Sequence, residues 1–177
     1  MIAVAGKPDT SMGGPPIKLA MQPDGFQVVS QDEPPSSQWR RSVYLTARRT
    51  YPLTFQNVFD FPAIDTNFTR WSPSASPLQS LTMMNDGFIL DRAGYLVARI
   101  AEVAGSDAPA VKKIEAAYLL AFPRKPRAAE VQLAETHLQR QKGIYLAANE
   151  PPPQASAKSN ADPGSMLLSS NEFLYID

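Results

Sequence analysis

The chain contains no cysteine. Disulfide staples, thiolate metal ligands, c-type haem attachment and cysteine nucleophiles are therefore excluded. Histidine occurs only at His137, so neither a two-histidine metal site nor an H-E-x-x-H helix can be built, and a zinc enzyme is close to excluded. Net charge is also missing, because 17 basic and 17 acidic side chains cancel. No overall field draws the chain to nucleic acid or to an anionic membrane, although a local charged pocket stays compatible with that balance. No apolar run approaches the roughly 18 residues a membrane-spanning helix needs. The opening "MIAVAG" is cut short by Lys7, Pro8 and Asp9, so it does not read as a signal peptide. Gly13-Gly14-Pro15-Pro16 carries neither G-x-G-x-x-G nor G-K-S/T and is no phosphate loop.

What the chain has in quantity is proline, 17 in 177 residues, unevenly placed. Gly-Gly-Pro-Pro at 13–16, Pro-Asp-Gly at 23–25 and Glu-Pro-Pro at 33–35 interrupt the first quarter. Such breakers predict an irregular Pro/Gly-rich segment over 1–38, with short strands around Ile17–Ala20 and Phe26–Val29. In "RRSVYLTARR" at 40–49, Val43, Leu45 and Ala47 alternate with Tyr44, Thr46 and Arg48, which predicts a strand. Pro52 then opens a short helix holding Leu53, Phe55, Val58 and Phe59, closed before Pro62.

From Pro77 the period turns helical. Ser76-Pro77 reads as a cap with proline at the first helical position, and Leu78, Leu81 and Met84 as the inward face. Asn85-Asp86-Gly87 makes a turn. Ile89, Ala93, Leu96, Val97, Ile100 and Ala104 form the stripe of a helix ending at Gly105. Asp107 and Pro109 start another helix, with Val111, Ile114, Tyr118, Ala121 and Phe122 inward and Pro123 as the stop. A third long helix runs from Pro126 to about Leu146, with Ala128, Val131, Ala134, Leu138 and Tyr145 inward and Gly143 weakening its last turns. His137 reads as solvated. Pro151-Pro152-Pro153 and the polar residues around it make 150–164 a linker, before a docking helix over 165–177 with Met166, Leu167, Phe173 and Leu174 available. In that helix Glu172 caps or pairs locally. The expected architecture is mainly α: an irregular N-terminal half with one or two short strands, a core over 39–149, and a bundle of about three to five helices.

The chemistry-bearing cluster is rich in arginine. Arg40, Arg41, Arg48, Arg49 and Arg70 are interleaved with Trp39, Tyr44, Tyr51 and Trp71, and Asp60 and Asn85 lie in the same stretch of sequence. Guanidinium forks bind carboxylate or phosphate bidentately and aromatic faces stack on sugars, so Arg41, Tyr44, Arg48, Arg49, Asp60, Arg70, Trp71 and Asn85 are candidate binding residues for an anionic glycan. Asp60, between two phenylalanines, is the best candidate for an acid raised by burial; together with Asp65, Asp86 or Asp91 it could supply a glycosidase's two carboxylates. The competing reading makes the arginines mortar. An irregular backbone leaves many carbonyls without ladder partners, and each guanidinium offers five donors to them and to nearby aspartates.

Six segments in order carry a resemblance: "GKPDTSMGGPP" at 6–16, "WRRSVYLTARR" at 39–49, "FDFP" at 59–62, "SPLQSLTMMN" at 76–85, "AYLLAFPRKPRAAEV" at 117–131 and "LLSSNEFLYID" at 167–177. Together they resemble the C-terminal domain of unknown function, of PSD-one type, found in planctomycete cytochrome-c-like exported proteins. Departures from its pattern are Pro8 in place of leucine, Pro123 in place of glycine, Asn67 near a frequent cysteine, "DPGSM" at 162–166 in place of Trp-Asp-Leu, and an insertion over 151–160. The resemblance implies a non-catalytic structural or interaction domain in the cell envelope or periplasm, with upstream domains of the parent protein, including a haem domain, as partners. It places no haem and no other cofactor on this chain, which lacks C-x-x-C-H. A polysaccharide is the alternative partner. It also implies that the domain begins upstream, so the isolated chain is expected to expose an apolar face and to self-associate.

Overall fold

The computed structural model describes residues 1–23, 25–46, 53–59, 76–148 and 164–174. It divides into two compact units, Lys7–Thr82 on one side and Met1–Gly6 with Met83–Asp177 on the other. The architecture is the expected one, mainly helical behind an irregular, slightly β N-terminal part.

In the Lys7–Thr82 unit, β1 (Leu19–Met21) and β2 (Gln27–Val29) pair antiparallel with Leu19 opposite Val29 and Met21 opposite Gln27. Their turn is closed by Gln22 N–H donating to the Phe26 carbonyl at 2.8 Å. A lone hairpin is marginal in water, so its stability comes from what packs beside it. Ile17, 2% exposed, is the anchor, exchanging backbone bonds with Tyr44 at 2.7 Å and Thr46 at 2.9 Å. Gln27 N–H donates to the Thr54 hydroxyl of α1 (Thr54–Val58) at 2.9 Å.

The strand expected from residue 40 onward does not form among the described residues. Pro35–Trp39 and Ser42–Tyr44 are 3-10 turns, and pairing survives only as isolated bridges of Asp9 with Arg40 and Ile17 with Leu45. The N-terminal segment running alongside contains Pro15 and Pro16, which have no N–H to donate to a ladder. Backbone groups are satisfied locally instead, Tyr44 N–H by the Arg41 carbonyl and Leu45 N–H by Ser42, both at 3.0 Å. Val43, expected inward, is 72% exposed.

Helix α2 (Pro77–Asn85) starts where the cap was expected. Ser76 Oγ accepts from Gln79 N–H at 3.3 Å while Gln79 Oε1 accepts from Ser76 N–H at 3.2 Å, a reciprocal cap. Its buried face is not the expected one. Leu78, Leu81 and Met84 are 56%, 58% and 66% exposed, whereas Gln79 and Met83, four apart, are buried. A buried amide is tolerable because the Gln79 Nε2 also donates to the Val58 carbonyl at 3.0 Å.

In the other unit, Asp86 caps α3 (Gly87–Ala104), its Oδ1 accepting from Phe88 N–H at 2.8 Å. The stripe appears as expected, with Ile89, Ala93, Leu96 and Ile100 buried, and the helix stops at Gly105 with φ 96°. In α4 (Ala110–Ala121) the small residues Ala116 and Ala117 go inward beside Ile114, while Val111 is exposed and Tyr118 and Phe122 are half-buried. Alanines at the contact let helices approach closely, which a row of large side chains would prevent. Helix α5 (Ala128–Ala147) continues through Gly143 and buries no residue fully; Val131, Ala134, Leu138 and Tyr145 are half-buried and Ala128 is exposed. Two short helical turns follow, α6 (residues 164–168) and α7 (Asn171–Leu174). The core joins Ala93, Leu96, Ile100, Ala116 and Ala117 to Leu168 of α6, with Met1, Val4, Leu167 and Phe173 packed against it. Leu168, 1% exposed, is its C-terminal anchor rather than Met166, which is 54% exposed.

Candidate functional site

The proline-rich segment and the first 3-10 turn border a groove of about 410 Å³ in the Lys7–Thr82 unit. Gly13, Gly14 and Pro15 line one side, Pro34 and Ser37 the other, and Arg40 contributes to the wall. Gly13 and Gly14 have φ of 80° and 89°, a left-handed backbone that favours glycine. That path is clamped. The Arg40 guanidinium donates to the carbonyl of Pro15 at 3.3 Å and to the carbonyl of Gly13, and it lies 3.9 Å from the Tyr44 ring centroid. The Tyr44 hydroxyl in turn accepts from Gly13 N–H at 3.1 Å. The acid of the groove is similarly engaged: Glu33 accepts from Lys18 N–H at 3.1 Å and from the Ser37 hydroxyl at 3.5 Å. Beside the clamp, Ser11 N–H donates to Asp9 Oδ1 at 2.9 Å, and this Ser11 contact holds the Asp9 carboxyl below the ordinary range.

Of the sequence-derived candidates, Arg41 and Tyr44 sit at the two ends of one tight turn, but only Tyr44 reaches the clamp. Arg41 is exposed and its side chain caps nothing. Asn85 is the exposed last residue of α2. Arg48, Arg49, Asp60, Arg70 and Trp71 lie outside the described residues. The group that does the clamping, Arg40, was visible in sequence as an arginine four residues before a tyrosine. Eight residues apart on a strand it would share a face with Arg48, and a 3-10 turn does not keep that parity.

A second arginine site lies in the helical unit and was missed. Arg124, after α4, uses all five of its N–H donors. Nε and Nη2 donate to the two Glu172 oxygens at 2.6 and 2.7 Å, Nη1 and Nη2 to Glu130 at 2.9 and 2.8 Å, and Nη1 to the Lys125 carbonyl at 3.1 Å. The Tyr118 and Phe122 rings stand 5.2 and 5.6 Å away. Glu172 thus pairs 48 residues back in sequence, not locally. The Arg124 bond, helped by Arg127 N–H at 2.6 Å, pulls Glu130 down to about 2, and Arg124 lowers Glu172 as well. Both carboxylates push the guanidinium further up, Glu172 most, while burial raises the Tyr118 phenol.

Two other features went unread in the sequence. Arg92 is a cation on the buried face of α3, 2% exposed, with its guanidinium 4.5 Å from the Phe88 ring centroid; desolvation lowers its pKa. His137 is half-buried and its Nε2 is shielded from solvent without a hydrogen-bond partner, contrary to the solvated reading. A cavity of about 450 Å³ is lined by Ala110 of α4 and by Glu135, Thr136, Leu138 and Gln139 of α5. Among the described residues no three acidic, histidine or cysteine side chains could hold a metal, and no helix is long and apolar enough to cross a membrane.

Residues 1–138 match the family model PSD1, described as a protein of unknown function (DUF1553). No curated protein and no solved structure matches the chain at a significant level.

Proposed function

Since the chain belongs to the PSD1 family of proteins of unknown function, we propose that it is a non-catalytic interaction domain of a larger exported protein, its arginines bracing its own backbone. The observation that carries this reading is the Arg40 clamp, in which the guanidinium donates to the Gly13 and Pro15 carbonyls and lies over the Tyr44 ring. Of its five N–H donors two are engaged this way, and Nε is shielded from solvent without a hydrogen-bond partner, which leaves two for a ligand. The row Leu78, Leu81 and Met84, exposed on α2, supports an interaction role, since apolar rows on soluble surfaces mark contact sites.

The test compares the chain with Arg40→Ala in native gels cast with and without alginate, a polyuronate. Alginate is expected to retard neither protein, while Arg40→Ala lowers the melting temperature by several degrees, since bonds to a charged donor contribute about 1.5–3 kcal/mol. Retardation of the parent chain, abolished by Arg40→Ala with the far-UV spectrum intact, would instead establish a glycan-binding module. The exported setting beside a cytochrome-c-like domain is supported by the order of the sequence segments. The full reading frame checks it: an export signal and a C-x-x-C-H motif are expected upstream, and a frame with neither overturns the setting.

A further inference from the structure

The Arg124 site joins three stretches of chain: the end of α4, the start of α5, and the C-terminal turn α7. Residues 164–174 lie against the core as a strap. Their apolar hold is Leu168 within the core cluster, with Leu167 and Phe173 beside it. Their polar hold is the Ser169 hydroxyl donating to the Met83 carbonyl at 3.3 Å, and the double bond from Arg124 to Glu172. Neither α6 nor α7 exceeds five residues, far below the length at which a helix stands alone in water, so the strap is ordered only while docked.

Glu130 and Glu172 are not equivalent partners. Glu130 lies six residues from Arg124 in sequence and is also fixed by Arg127 N–H. It therefore holds the guanidinium in place whether or not Glu172 is there. Glu172 has the more exposed side chain, 49% against 26% for Glu130, and among the described residues it is the strap's only ion-pairing group. The groups around it are Tyr118 of α4, Arg124 and Arg127 of the connecting loop, and Glu130 of α5. The chain has thus built a fixed receptor, Arg124 on Glu130, and a separable plug, Glu172.

We propose that residues 164–174 form a releasable strap, latched by Glu172 on the Arg124–Glu130 receptor, which opens while α3 and α4 stay folded. Opening uncovers the apolar cluster of α3 and α4 that includes Leu168. Local openings of this kind need less free energy than global unfolding.

Hydrogen exchange read by mass spectrometry on the full chain tests this. Glu172→Gln removes the plug's charge at an exposed position. Peptides covering 164–174 are expected to exchange about tenfold faster or more in that variant, with α3 and α4 unchanged. Arg124→Met should accelerate the same peptides, and Glu130→Gln should do so less than Glu172→Gln. If the strap of the parent chain exchanges at the rate of α3 and α4, or if Glu172→Gln speeds all three together, strap and core are one cooperative unit and the proposal is overturned. An unchanged strap rate in Glu172→Gln overturns it too.

Discussion

Gly164 has no room for a side chain. A Cβ there would meet the Ala93 carbonyl oxygen and Val97 Cγ2, both at 3.2 Å, and a backbone oxygen inside a helix cannot step aside. Gly164→Ala is expected to destabilise the chain by about 1–3 kcal/mol, seen as a lower urea midpoint at unchanged slope. The sequence offered a hint here, because Gly164 stands where a linker was expected to hand over to a helix. The close approach of Gly164 to α3 involves residues some seventy positions apart, and no local pattern encodes it.

At the scale of elements, caps were legible and faces were less so. Ser76 sits where a helix start was expected, and Asp86, read as a turn residue, caps the next helix, because a short polar side chain before an apolar-periodic run accepts from the first free N–H groups. Asp86→Ala should cost about 1 kcal/mol, with the loss concentrated in α3 amides by hydrogen exchange. The face of α2 was read the other way round. Periodicity counts apolar residues but does not know that Gln79 can be satisfied inside by Ser76 and Val58. The two faces make opposite predictions. Met83→Ala should cost about 2–5 kcal/mol by urea denaturation, and Leu81→Ala no more than about 0.5 kcal/mol. The reverse order would restore the leucine face as the buried one. Alternation failed similarly at 40–46, since a strand needs a neighbour with free N–H groups and the prolines of the first segment remove them.

For the molecule as a whole, the carboxylates of the Arg124 site are expected to contribute to the acid limb of stability. Glu130 falls from 4.5 in the unfolded chain to about 2 in the folded one, so between these values the unfolded state binds more protons. Its contribution is complete above about pH 5 and is lost as pH falls toward about 2; Glu172, lowered in the same direction, adds to that loss. Glu130→Gln should therefore lower the urea midpoint at neutral pH and flatten the midpoint's decline in acid. A variant with an acid limb as steep as that of the parent chain would show that other carboxylates govern it.

The sequence by itself determined the class of fold, two short strands near 17–20 and 26–29, the stripe of α3 and its stop at Gly105, because each depends on neighbours within a turn or two. It also determined what the chain cannot build, from the lack of cysteine and the single histidine. Only the tertiary structure decided which arginines act and on what. Arg40 meets Gly13 across 27 residues and Arg124 meets Glu172 across 48, and the pairing of one charged group with another depends on loop paths that no periodicity records.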